Sequence, residues 1–308
     1  MTRITLSPDA PVRADDPFDD AFLRKLEYLH IVSRKVFAGR TRAERRAKRL
    51  GSGIEFADHR DYQPGDDVRY LDWAVYGRLE RLLLRLFEEE EDLSIYILLD
   101  TSASMATGAD AGAPAKIDYG KRVAAALCYL GLANLDRVSI LPFSAALAPS
   151  GAPARGRARI FGILETLRAI EAGQVTALAG SLATLAKQRR RPGLVAVVSD
   201  FYDPGFAEGL DVLRYHRFEP YAIQVLARAD LLPGATGDVE IVDVETGQAR
   251  PVRLTPRVLE EYRRAHAAHL AALAAHCRRA AVPLFRTETH VPFEDLILRV
   301  FRAGGFLR

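Results

Sequence analysis

Two short runs constrain this chain more than anything else in it: SIYILL at residues 94–99 and LVAVVS at residues 194–199. Each is apolar at successive positions, not at alternate ones, which fits a strand buried on both faces. Around them the spacing changes to that of helices. Lys116 to Leu132 sets Val123, Leu127 and Leu130 on one face. Arg157 to Ile170 is helical up to a stop at Gly173, and Ala177 to Arg190 up to Pro192-Gly193. Arg137 to Phe143 reads as a strand, Ala145 to Ala154 as an edge strand, Pro204 to His216 as a helix and Tyr221 to Leu226 as a strand. Val239 to Leu254 reads as a hairpin turning near Thr246-Gly247. Pro256 to Ala280, Val282 to Phe285 and Phe293 to Arg302 close the chain as helix, strand and helix. Strands alternating with helices predict an α/β fold: a doubly wound, mainly parallel sheet covered on both faces.

The residues ahead of this pattern form an N-terminal helical/β extension. Residues 1–50 read as a Pro- and Asp-rich tail, an amphipathic helix over Phe22 to Val36, and a basic stretch. Residues 51–91 hold turn signals between short apolar pieces, with a strand at Leu82 to Phe87. Residues 92–308 carry the alternating pattern.

The basic stretch, Arg34 to Arg49, has eight cations and one acid, Glu44. Its ordinary use is a solvated helix face; the competing use is a nucleic acid or another anionic surface. Only Phe37 interrupts it, which is poor in the aromatics that single strands stack on. The net charge of +3 does not select nucleic acid either. Two cysteines, Cys128 and Cys277, make no disulfide framework and imply a reducing compartment. No stretch has a signal peptide's pattern or the ~20 apolar residues of a membrane span. A cytoplasmic location without a membrane span is therefore expected.

Function is concentrated at strand ends. In an open α/β sheet, ligands bind beyond the carboxyl ends of the strands, where strand order reverses. Asp100, Ser102 and Ser104 leave the first strand there, and Asp200 leaves LVAVVS in the same way. The two acids meet if their strands are neighbours. Thr176, in the loop after Gly173, is a third contributor. Helix capping and turn chemistry compete for each of these residues singly. Together they offer only oxygen, which suits a hard cation such as Mg²⁺. Hydroxyls cancel no charge, so a cation held mainly by them stays receptive to an incoming carboxylate.

This arrangement resembles the metal-ion-dependent adhesion site of von Willebrand factor type A domains, whose fold is Rossmann-like and doubly wound. The resemblance implies Mg²⁺ (or Mn²⁺ or Ca²⁺) held by Ser102, Ser104 and Thr176, with Asp100 and Asp200 acting directly or through water. One position departs from the pattern: Ala177 stands where many relatives have an acid.

A second stretch, GSGIEFADHRDYQPGDDVRYLDW at residues 51–73, is similar to the signature of bacterial proteins grouped as domain of unknown function 58. Glu55, Phe56, Arg60, Tyr62, Pro64, Gly65, Asp66, Asp67, Arg69, Asp72 and Trp73 carry the match. That resemblance implies a partnership with a MoxR-type AAA+ ATPase in assembling or activating other proteins. Physically, the stretch reads as a turn braced by Arg60 or Arg69 pairing with Asp67 or Asp72, with Trp73 as a core anchor. His59 reads as a surface residue.

The expected function is a non-enzymatic, metal-dependent adaptor that binds an acidic side chain of a protein partner. Catalysis is disfavoured because Ser102 stands where a phosphatase places its acid–base carboxyl, and no nucleophile elbow or phosphate loop is present. A metal-dependent hydrolase is the weaker alternative. His266, His269, His276 and Cys277 lack the glutamate and second ligand pair of a zinc site.

Overall fold

The computed structural model describes residues 17–37, 46–50, 55–90, 93–110, 112–149, 151–173, 175–188, 190–231 and 237–302. Its elements fall into two compact units. One comprises Val32–Asp92 with Leu307–Arg308, the other Met1–Ile31 with Leu93–Phe306. The division between the two units falls inside the N-terminal helix, at Ile31/Val32, and the strand Arg46–Leu50 belongs to the smaller unit.

Helix α1 (Asp20–Phe37) is the first element among the described residues. Strands β1 (Arg46–Leu50), β2 (Glu55–Asp61) and β3 (Leu83–Glu90) make an antiparallel sheet in the order β1-β3-β2. Its register sets Arg46 opposite Glu90 and Lys48 opposite Glu88. This end of the basic stretch is therefore a strand and not a helix face. Residues 38–45 of that stretch lie outside the described residues. Between β2 and β3 runs α2 (Trp73–Leu79), where only strands and turns were expected. Its signal was the cap: Asp72 Oδ1 accepts from the Ala74 and Val75 amides at 3.0 and 3.1 Å. Seven residues are too few for helical periodicity to show.

The larger unit is built on five parallel strands: β4 (Ser94–Asp100), β5 (Arg137–Phe143), β6 (Leu194–Ser199), β7 (Glu219–Leu226) and β10 (Leu284–Glu288). Their order is β10-β7-β6-β4-β5, every pair parallel. Strands β8 (Gly237–Val242) and β9 (Ala249–Leu254) form a separate antiparallel hairpin. Helices α3 (Lys116–Ala133), α4 (Ile160–Ala169), α5 (Leu178–Lys187), α6 (Phe206–Tyr215), α7 (Arg228–Leu231), α8 (Pro256–Arg279) and α9 (Phe293–Arg302) complete it.

Every residue of β4 and β6 is buried, as unbroken apolar runs require. The alternation of side chains divides β4 between two layers. Tyr96 and Leu98 join Leu182 of α5, Leu210 of α6 and Leu273 of α8 in one cluster. Ile95 and Leu99 face α3 instead, at Gly131 and Gly120. The start of α1 belongs to this unit: Phe22 packs on Phe293 with ring centroids 5.1 Å apart, and Lys25 Nζ lies 2.6 Å from Glu294 Oε1.

Residues 145–154 do not form the expected edge strand. They make isolated bridges, Phe143 with Leu147 and Val138 with Ala154. Pro149 and Pro153 remove donors that a continuous ladder needs. Among the described residues, no helix is long and apolar enough to cross a membrane.

The chain leaves β4 toward β5 on one side, then returns past β4 to β6 on the other. Strand order thus reverses between β4 and β6, and their carboxyl ends frame a crevice of the kind in which α/β sheets bind ligands.

Candidate functional site at the end of strands β4 and β6

Asp100 ends β4 and Asp200 follows β6, and these strands are neighbours. Both acids are buried, 1% and 2% exposed. Asp100 is tightly organised. Its Oδ2 accepts from Ser199 Oγ at 2.5 Å, and its Oδ1 from the Ser102 amide at 2.9 Å. Thr176 Oγ1 donates to the same Oδ1 at 3.5 Å. Ser102 Oγ lies 3.1 Å from Ser104 Oγ. All five oxygen-bearing residues therefore gather at one edge, graded from buried Asp100, Ser102 and Asp200 to half-buried Ser104 and Thr176.

Capping does not account for the hydroxyls. Ser102 precedes a 3₁₀ turn, Ala103–Ala106, yet its side chain makes no cap hydrogen bond. Thr176 is not the N-cap of α5. Ala177 holds that position, and Asp203 Oδ2 accepts from the Leu178 amide at 2.9 Å. Asp203 Oδ1 is also spent, on the Gly205 amide at 2.6 Å.

The electrostatics are lopsided. Burial pushes the Asp100 carboxyl up to about 6; the charge of Asp200 adds to this, and the Ser199 and Ser102 hydrogen bonds oppose it. Lys116, 1% exposed, places Nζ 2.9 Å from Asp200 Oδ2 and 3.2 Å from Asp230 Oδ2. Burial works against its charge, but the two carboxylates outweigh burial and hold the ammonium above the ordinary lysine value. Nζ also lies 5.3 Å from the Tyr202 ring centroid. Asp230, in α7, is fixed by the Ala227 amide at 2.9 Å. Gly108 permits the close approach of this loop: at φ +90°, an added Cβ would come 2.2 Å from Ala227 Cβ.

Behind Asp200 the backbone is strained. Phe201, fully buried, has φ +59°, a conformation bulky residues rarely adopt and one that concentrates at functional sites. The Phe201 amide donates to Ser199 Oγ at 3.0 Å, which links that residue to Asp100. Gln224 Nε2 holds the Asp200 carbonyl at 3.0 Å.

Sequence reasoning missed Lys116, Asp230, Ser199 and Glu245. Lys116 read only as the opening of a helix and Ser199 as the end of a strand. Glu245 sits in the turn of the β8–β9 hairpin, where the Thr176 amide donates to its Oε2 at 3.4 Å.

Two histidines of α8 are committed elsewhere. His266 Nε2 lies 2.9 Å from Tyr202 Oη, and His269 Nε2 lies 2.8 Å from the Phe201 carbonyl. Cys277 is buried. Among the described residues, no group of three or more His, Cys, Asp or Glu side chains is placed to hold a metal ion. The β4–β6 set has two carboxylates and three hydroxyls.

The second candidate stretch lies in the other unit. Pro64 and Gly65, with φ +105° at Gly65, make a turn closed by the Asp66 amide on the Gln63 carbonyl at 3.0 Å. Arg60 pairs with Asp66 at 2.8 Å and Arg69 with Asp67 at 2.6 Å. Hydrogen bonds from the Gln63 amide and then Arg60 hold the Asp66 carboxyl below the usual range; Arg69 does the same for Asp67. Asp72 takes His59 Nε2 at 3.0 Å and Arg85 Nε at 3.5 Å, so His59 is a bonded, half-buried residue and not a free surface one. Tyr62 is half-buried, and its amide donates to the Leu82 carbonyl at 2.9 Å. Glu55 lies opposite Glu88 in the ladder. Trp73 is not a core anchor. It is 60% exposed, edge-on to Tyr76 with centroids 6.2 Å apart.

The profile of a family described as "Protein of unknown function DUF58" matches residues 58–272. Uncharacterised proteins of Mycobacterium bovis and Mycobacterium tuberculosis are 32% identical over 280 residues, covering 89% of this chain and 86% of theirs. Among solved structures, the conserved hypothetical protein BatB of Bacteroides thetaiotaomicron aligns at 14% identity and TM-score 0.40, over 68% of this chain and 99% of that one. An aerotolerance-related membrane protein of Bacteroides fragilis aligns at 15% identity and TM-score 0.41, over 69% and 100%. These structural likenesses are distant, and the fold rests on the strand order given above.

Proposed function

The chain belongs to the family described as protein of unknown function DUF58, and for it we propose a non-enzymatic, metal-dependent adaptor whose β4–β6 site captures an acidic side chain of a protein partner. The observation that carries this reading is the convergence of Asp100, Ser102, Ser104, Thr176 and Asp200 on one strand-end crevice, with the Ser102 hydroxyl bonded only within the cluster. The same convergence supports a von Willebrand factor A-like reading of the sheet.

The donor chemistry fits a hard cation. Lys116 is shared between Asp200 and Asp230 and, among the described residues, Asp100 has no cation of its own, so three carboxyls stand against one ammonium in the crevice. Burial and the Asp200 charge both work against ionising Asp100, and a cation would remove that penalty. Ser102, Ser104 and Thr176 would hold Mg²⁺, or Mn²⁺ or Ca²⁺, with Asp100 and Asp200. When bound, the ion supplies positive charge that draws a further carboxylate. Ser199 fixes the orientation of Asp100, and Lys116 holds one oxygen of Asp200. By resemblance, the partner is a MoxR-type AAA+ ATPase, met in the cytoplasm.

The hydrolase reading is weaker because Ser102, hydrogen-bonded to Ser104, stands where an acid–base carboxyl would be needed.

The test is capture of partners on the full-length protein with Mg²⁺ and with chelator, for the wild type and for Ser102→Ala with Ser104→Ala. The expected result is an ATPase retained only by wild type with metal. Retention unchanged by chelation and by the double substitution would refute the adaptor mechanism.

A further inference from the structure

The turn between β8 and β9 runs from Asp243 to Gln248, and only Glu245 in it is withdrawn from solvent. Its neighbours build the turn. Asp243 Oδ1 accepts from the Glu245 and Thr246 amides at 2.9 and 3.0 Å. The Gly247 amide, at φ +70°, donates to the Asp243 carbonyl at 2.8 Å. Asp243 thus spends its carboxylate on the turn, whereas Glu245 sends its carboxylate out of the turn to the Thr176 amide. The Thr176 hydroxyl, on the same residue, reaches Asp100.

This placement is electrostatically costly. Glu245 is half-buried and meets Thr176, whose hydroxyl reaches Asp100, so its charge lies close to a crevice that already holds Asp100, Asp200 and Asp230. Lys116 is already shared between Asp200 and Asp230. A fourth carboxylate brought into this field is repelled unless a divalent cation reverses the local sign.

We propose that Glu245 is the protein's own carboxylate for the cation site, presented by the β8–β9 hairpin where a partner's acid would bind, so that partner capture displaces it. This rests on reading the β4–β6 crevice as a cation site. The hairpin then acts as an internal competitor: it completes the site at rest and sets the affinity an external acid must exceed.

The experiment uses the full-length protein and Mn²⁺ alone. Free Mn²⁺ is followed by electron paramagnetic resonance, and bound Mn²⁺ by water-proton relaxation. Glu245→Gln and Glu245→Ala are compared with wild type, with Ser102→Ala plus Ser104→Ala, and with Asp238→Asn as a hairpin charge control. Losing one anionic ligand should weaken Mn²⁺ binding by about tenfold and raise relaxivity, as water takes the vacated position. Acetate, standing in for a partner's carboxylate, should then lower relaxivity at a smaller concentration than in wild type. Asp238→Asn should match wild type. If Glu245→Gln and Glu245→Ala match wild type in affinity, relaxivity and acetate midpoint while the double serine variant loses Mn²⁺, Glu245 is not a ligand. If the double serine variant binds Mn²⁺ as wild type does, the site reading itself fails, and the inference with it.

Discussion

At the scale of single residues, the crevice depends on one buried ammonium. Lys116 neutralises part of the charge of Asp200 and Asp230 from a position 1% exposed. Replacing it with methionine keeps the volume and leaves two carboxylates short of a cation. Breaking a buried pair in this way costs about 3–5 kcal/mol, and urea denaturation without metal should show it. Mg²⁺ should recover more stability in Lys116→Met than in wild type, because Asp200 is then freed for the ion. Equal recovery in both proteins would mean that Asp200 does not face the cation.

Asp100 makes the second residue-scale test. Its carboxyl titrates near 6 in the fold and near ~3.9 when unfolded. The folded state binds the proton more tightly, so this group's contribution to stability is full below ~4 and is lost as pH rises through about 6. Asp100→Asn should remove that slope, read as the difference between the two metal-free melting profiles from pH 4 to 7. On the cation reading, Mg²⁺ would have to displace the proton in wild type, so stabilisation by Mg²⁺ should grow from pH 5 to pH 7. The residues visible in the sequence were Asp100, Ser102, Ser104 and Asp200, whose chemistry follows a strand end, and Thr176, which stands in the loop just ahead of a helix. Lys116 and Glu245 were not visible, because each arrives from a separate element and nothing local marks where it goes.

At the scale of elements, the strands were legible because a strand buried on both faces leaves an unbroken apolar run, as β4 and β6 do. Elements with mixed surroundings were harder. Helix α2 is short and exposed, so only its Asp72 cap marked it, and β1 hid inside a basic stretch because its pairing partner carries the complementary acids. The contact of α3 with the sheet sets two effects in opposition. Gly131→Ala gains about 1 kcal/mol of helix propensity. The new Cβ, however, would lie 2.8 Å from Val138 Cγ2 and 2.9 Å from Ile95 Cδ1, and overpacking a core costs about 1–3 kcal/mol. Net destabilisation is expected in urea, with Mn²⁺ affinity unchanged because the contact lies at the amino ends of β4 and β5, away from the site. A stabilised variant would show that α3 sits further from the sheet.

At the scale of the whole molecule, the metal reading makes stability a function of cation concentration. An ion that binds only the folded state stabilises it by RT ln(1 + [L]/Kd), about 2.7 kcal/mol at a hundred times Kd. For a chain of this size each kcal/mol is worth about 2–4 °C, so saturating Mg²⁺ should raise Tm by about 5–10 °C. The rise should appear in the transition of the unit containing Leu93–Phe306, since all five site residues belong to it. Ser102→Ala with Ser104→Ala should abolish the rise while leaving the metal-free Tm close to that of wild type, because the Ser102 hydroxyl makes no cap hydrogen bond and the two hydroxyls bond to each other. That pairing of outcomes separates a cation site from a structural hydroxyl cluster, which would lose stability on substitution whether or not Mg²⁺ is present.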